Sequence, residues 1–119
     1  MEYNVINSNE FEIWWNTLSE PEMIDVLAYI NLLEIRGPNL PFPYSSKINE
    51  SKIEHMRELR IQYKGKPYRV LYAFDPERNA LLLVGGNKQG NKRWYKINVP
   101  IADKIYAKHI KLLKNKKEK

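Results

Sequence analysis

The apolar residues of this chain change their period partway along, and that change restricts the fold more than any other feature. Up to residue 33 they recur three and four positions apart: Phe11, Trp14, Trp15 and Leu18, then Met23, Val26, Leu27, Ile30 and Leu33. This is the spacing of helices with one apolar stripe. From Met56 onward the period is two. Leu59, Ile61 and Tyr63 alternate with Arg60 and Gln62, and Tyr68, Val70, Tyr72 and Phe74 alternate with Arg69, Leu71 and Ala73, as side chains do on the two faces of a strand. Helices followed by strands must lie on one another to bury their stripes. The expected class is α+β: an N-terminal strand and helical hairpin packed on a small antiparallel β-sheet, with a C-terminal helix.

Local signals divide the chain further. Residues 3–6 read as a short strand. Asn9 with Glu12 and Ser19 with Glu22 are capping-box pairs that open the two helices, and Gly37-Pro38 stops the second. Residues 40–43 are expected to run extended, because a residue before proline is pushed out of the α region. Lys64-Gly65 turns one strand into the next, and residues 75–79 are turn chemistry. The continuous apolar run 80–84 marks a strand covered on both sides. Gly85-Gly86 is read as the point where the chain leaves the sheet, 87–93 as a polar loop and 94–99 as a last short strand. Pro100 then opens a helix whose apolar side holds Ile101, Ala102, Ile105, Tyr106, His109, Leu112 and Leu113. No repeat or linker interrupts the 119 residues. Residues 1–119 are therefore expected to be a single domain, with 108–119 a basic helix end or tail.

Charge separates the two halves. Residues 1–58 hold 4 Lys and Arg against 10 Asp and Glu, while residues 59–119 hold 16 against 4. The tail from Lys108 accounts for only part of the surplus, with six lysines against Glu118. The remainder points to a polyanionic partner, nucleic acid before membrane. With no cysteine and only His55 and His109, thiolate zinc sites, disulfides and cysteine nucleophiles are excluded, and no metal or cofactor is expected. The sequence shows no apolar run of membrane-spanning length and no leader pattern, so a cytoplasmic protein is expected. The acidic residues Glu10, Glu12, Glu20, Glu22 and Asp25 of the first two helices read as a solvated face or a dock for a partner.

Four segments in order carry a family resemblance: Met56-Arg57-Glu58-Leu59-Arg60, the strand 68–75 (YRVLYAFD), Leu83-Val84-Gly85-Gly86-Asn87-Lys88, and Arg93-Trp94-Tyr95. With the downstream segment 100–106, this set resembles the RelE/ParE superfamily of bacterial toxins, in particular its HigB-type branch. The resemblance implies a RelE-like fold, a small helix-turn-helix antitoxin as partner, and mRNA cut on the ribosome. It also implies roles. Arg69 falls on the arginine that contacts the scissile phosphate, Lys88 near a catalytic arginine, and Tyr95 on a tyrosine that acts as base or stacks on the substrate. RelE itself carries a pair of lysines where this chain has Met56 and Glu58, which leaves two alternatives open: Glu58 takes a proton-transfer role, or Arg57 and Lys92 replace the lost charge.

The chemistry stands beside the resemblance. Metal-free RNA cleavage needs a base for the 2′-hydroxyl, positive charge at the phosphorus and an acid for the leaving 5′-oxygen, all of which Arg, Lys, Tyr and a carboxylate can supply. Arg57 and Arg60 are candidates for phosphate positioning, Lys92 and Arg93 for added charge, and Trp94 for base stacking. Plainer readings stay open: Arg69 as an ion-pair partner of Glu58, Lys88 as a solvated loop residue, Tyr95 as a core residue of an edge strand. A histidine-pair mechanism is disfavoured because His109 sits on the apolar side of its helix. Two other functions stay open at this level: a ParE-like, non-enzymatic gyrase inhibitor, and a degenerate toxin that only binds RNA or antitoxin.

Overall fold

The computed structural model describes residues 2–117. Strand β1 (Val5–Asn7) leads into helices α1 (Asn9–Trp15) and α2 (Glu20–Arg36), and a single 3-10 turn (Gly37–Asn39) follows. Then come β2 (Ser45–Lys47), β3 (Arg57–Tyr63), β4 (Lys66–Phe74), β5 (Ala80–Asn87) and the long helix α3 (Trp94–Lys117). The architecture is the α+β arrangement expected from the period change. Its five-stranded sheet runs β1-β5-β4-β3-β2. All neighbours are antiparallel except β1, which pairs with β5 in parallel through Val5 to Ala80, Ile6 to Leu81 and Asn7 to Leu82.

Helices cover both faces of the sheet. On one side Phe11, Val26, Ile30 and Leu33 pack against Leu59, Ile61, Val70, Tyr72 and Leu82. On the other, Val99, Ala102 and Tyr106 of α3 pack against Leu71, Ala73, Leu81 and Leu83. The apolar run of β5 is thus covered on both sides, as its sequence implies. Beyond the start of α3 on this second face, Arg60 and Arg69 stand opposite each other on β3 and β4, Arg60 partly exposed and Arg69 buried.

Several local expectations are corrected. Asn9 does not cap α1; Ser8 does, because its buried hydroxyl donates to Leu83 O at 2.7 Å while accepting from Phe11 N–H at 3.0 Å. Ser19 and Glu22 form the expected capping box of α2. Residues 94–99 are not a strand but the start of α3, and Pro100 lies inside that helix. The strand-like alternation there is overridden because Trp94, Val99, Ala102 and Tyr106 make one buried helical stripe, leaving Pro100 on the solvent side. Residues 40–43 do not simply run extended. Leu40 is extended, but Tyr44 N–H donates to Pro41 O at 3.0 Å and closes a turn around a cis Phe42–Pro43 peptide. The strand β2 that follows was not anticipated.

Gly85 and Gly86 do not release the chain from the sheet, since β5 continues to Asn87. They let large rings approach instead. A Cβ on Gly85 would overlap the Trp14 ring, and one on Gly86 would lie 2.6 Å from Trp94 Nε1. The basic C-terminal segment is helical through Lys117, while Glu118 and Lys119 lie outside the described residues.

Candidate active site

Strand β3 carries the centre of the site because its alternation puts Glu58 and Arg60 on the face opposite Leu59 and Ile61. Glu58 is 4% exposed, and a buried carboxylate needs charged or hydrogen-bonding partners. It has four. The Tyr95 hydroxyl donates to Oε1 at 2.6 Å, and the Ser46 hydroxyl to Oε2 at 2.6 Å. Arg60 Nη1 lies 3.3 Å from Oε2, and Arg69 Nε lies 3.4 Å from Oε1. Three strands and the first turn of α3 therefore meet at one carboxylate.

The two arginines differ in access. Arg60 keeps 30% of its side-chain surface, Arg69 only 5%. Arg69 lies beneath Glu58, where Nη1 also donates to Tyr68 O at 3.0 Å and its buried Nε has no hydrogen bond of good geometry. The ion pair that the sequence left open between Arg69 and Glu58 is present. Arg60 is the guanidinium that faces solvent.

Tyr95 is brought in by the loop before α3. Side chains of Asn87 and Asn91 accept from the backbone N–H groups of Gln89 and Arg93, both at 3.0 Å, and Lys88 N–H donates to Pro67 O at 3.1 Å. The Lys88 ammonium then stands 5.6 Å from the Tyr95 ring centroid, a cation–π contact. Burial pushes the Tyr95 phenol up to about 12, and its hydrogen bond to Glu58 adds to the rise. At neutral pH Tyr95 is a proton donor. Lys47, Ile48, Asn49, Glu50, Glu58 and Tyr95 line a small cavity of about 220 Å³ beside the carboxylate.

The structure thus joins Glu58, Arg60, Arg69, Lys88 and Tyr95, and it adds Ser46 and Lys47, which sequence reasoning missed because β2 gives no periodic signal. It separates others. Arg57 points to the opposite face, where its Nε donates to Ser45 Oγ at 2.9 Å beside Tyr72. Trp94, read as a stacking residue, is buried at 4% exposure against Gly86 and meets Tyr95 edge-on at 5.3 Å. It anchors the loop. Lys92 and Arg93 are exposed on that loop. The histidines lie elsewhere: His55 Nε2 is 3.2 Å from the Tyr106 hydroxyl and His109 Nε2 is 2.9 Å from Asp75 Oδ2. Among the described residues, no group of three or more His, Cys, Asp or Glu is placed to hold a metal ion, and no helix is long and apolar enough to cross a membrane.

Residues 13–107 match the family described as Phage derived protein Gp49-like, and the chain belongs to that family. It is 47% identical over 100 residues to a Mycobacterium tuberculosis protein named "Putative toxin HigB3", covering 83% of this chain and 86% of that one. A second protein of the same organism, "Putative toxin HigB2", is 36% identical over 108 residues, covering 89% of this chain but 54% of the relative.

Proposed function

We propose that this chain is the toxin of a toxin–antitoxin pair and an endoribonuclease that cuts mRNA on the ribosome without a metal ion. The names of its two relatives support the toxin reading. The observation that carries the enzymatic reading is the Glu58 carboxylate, buried between two arginines and a protonated tyrosine at the edge of a solvent-open cavity. An inhibitor that acts by binding alone has no use for a buried base held in that way.

Glu58 is the base in this mechanism. In the free protein its oxygens accept hydrogen bonds from Ser46, Arg60 and Tyr95. A phosphodiester arriving at the solvent-facing Arg60 draws that guanidinium off Oε2, and the 2′-hydroxyl takes the place of the Ser46 hydroxyl there. Proton transfer to Glu58 lets the 2′-oxygen attack phosphorus. Arg60 and, from beneath, Arg69 balance the charge that develops on the phosphoryl oxygens. Tyr95 fixes Glu58 from Oε1, and Lys88 supplies the proton that the 5′-oxygen needs to leave. The products are a 2′,3′-cyclic phosphate and a 5′-hydroxyl end.

Purified ribosomes programmed with a defined mRNA test this reading. Wild-type protein is expected to produce cuts mapped by primer extension, and Glu58→Gln to slow them about 10²- to 10⁴-fold, the range for loss of a general base. Growth arrest by the wild type with intact mRNA would overturn it, and DNA-damage signalling in place of translation arrest would favour gyrase inhibition.

A further inference from the structure

An exposed aromatic ring adjoins the carboxylate cluster, and none of the roles described above uses it. Phe42 is 69% exposed. It sits in the turn closed by hydrogen bonds from Tyr44 N–H and Ser45 N–H to Pro41 O at 3.0 and 3.1 Å, and the turn is tied to β3 by Arg60 N–H donating to Tyr44 O at 2.9 Å. The other exposed apolar side chains are aliphatic and lie on helices, Ile13, Ile24, Ile35 and Leu112 among them, except Tyr44, whose ring is 42% exposed and leans on Tyr29 at 6.2 Å. Phe42 instead lies against a cation, with Arg60 Cζ 5.1 Å from its ring centroid.

That same guanidinium reaches Glu58, with Nη1 3.3 Å from Oε2. One side chain therefore bridges the reacting centre and the ring. A phosphate held by Arg60 carries its ribose and base outward from the cluster, and the ring stands one guanidinium away. Aromatic rings beside basic groups hold single-stranded nucleic acid by stacking on a base face, and every base has one. Lys47 and Glu50, both exposed, also line the cavity, so the charge that favours a polyanion over an apolar peptide at the ring is that of Arg60.

We infer that Phe42 is a nucleobase subsite, stacking the RNA base that flanks the phosphate held by Arg60. This rests on the nuclease reading given above and extends it to how the substrate strand is seated. The ring sits between two prolines in a closed turn, so it is presented to the base already ordered.

The test uses two non-cleavable probes of equal charge: a 2′-O-methyl RNA tetranucleotide and the same backbone with abasic positions. Binding to the whole protein is read by fluorescence anisotropy. Wild type is expected to favour the base-bearing probe, and Phe42→Ala to lose that preference, roughly 5- to 150-fold for one stacked base, with affinity for the abasic probe unchanged. Phe42→Trp is expected to restore it. A ring so exposed contributes little to the core, so the melting temperature of Phe42→Ala checks that the fold is kept. An unchanged preference in Phe42→Ala, or equal weakening toward both probes, overturns the subsite. Weaker binding to the antitoxin with unchanged RNA preference also overturns it and assigns the ring to a protein interface. Neither probe can be cut, so these outcomes are separate from those of the programmed-ribosome assay, in which the nuclease reading stands or falls.

Discussion

Tyr95, on the first turn of α3, donates a 2.6 Å hydrogen bond to Glu58 on β3. The bond ties the last helix to the third strand and, with burial, holds Tyr95 as a phenol to about pH 12 against an ordinary 10.0. Tyr68 is raised to about 12 as well, by burial and by Glu22. Folded-state values above the unfolded one mean that this stabilisation is whole below pH 10 and is lost as pH rises toward 12. The urea midpoint is expected to fall over that window, and to fall less steeply in Tyr95→Phe. Identical slopes in the two proteins would contradict the assignment.

Glu58 and Arg69 should be more costly to separate than to remove together. Their side chains are each 5% exposed, and truncating one member of a buried pair costs about 3–5 kcal/mol by stranding the other charge. Arg69→Met is expected to fall in that range, softened by the Arg60 contact to Glu58. Adding Glu58→Gln should recover part of the loss. A double-mutant cycle in urea that gives a coupling below about 0.5 kcal/mol would show the two to be independent.

At acid pH the sensitive contact is between α2 and β4. The Tyr68 hydroxyl donates to the Glu22 carboxylate, and this bond, followed by the backbone and hydroxyl of Ser19, holds Glu22 at about 2 against an ordinary 4.5. A lowered folded value gives stability that is present above pH 4.5 and lost as pH falls toward 2. Asp75 is also lowered, since its bonds from His109, Asn79 and Glu77 outweigh the burial that would raise it. Tyr68→Phe is expected to move the acid-unfolding midpoint upward, followed by far-ultraviolet circular dichroism. Asp75→Asn should flatten the same transition from the other end of the sheet.

Gly85→Ala is expected to destabilise the protein by about 1–3 kcal/mol, the cost of forcing extra volume into a packed site. The added methyl group must displace Trp14, whose ring also meets Tyr68 edge-on at 6.0 Å. Tryptophan fluorescence should shift with the loss. A neutral Gly85→Ala would mean that α1 slides freely over β5.

The sequence made the layer order legible because the change of apolar period from helical to alternating is a property of the cores themselves. Glu58 was singled out by the resemblance, since it stands where RelE carries a lysine; the alternating pattern alone does not show that its carboxylate is buried among four partners. The start of α3 was not legible, since Trp94-Tyr95-Lys96-Ile97-Asn98-Val99 alternates like a strand and becomes helical only through contacts with residues of β4 and β5. Ser46 and Lys47 were hidden by the brevity of β2. The parity of Arg57 is legible in the sequence, because in a strand it shares the face of Leu59 and lies opposite Arg60. Trp94 misled because composition alone does not tell a ring that faces RNA from one that fills the space over a glycine.

The parallel pairing of β1 with β5 carries a consequence for how the chain is made. Ser8, just after the first strand, bonds Leu83, 75 residues downstream, so β1 has no sheet partner until β5 has been synthesised. Tyr95 emerges later still. Long-range pairing of this kind delays closure of the domain until the partner segments are available together. The Glu58–Tyr95 contact can therefore form only once β5 and the first turn of α3 have both been made.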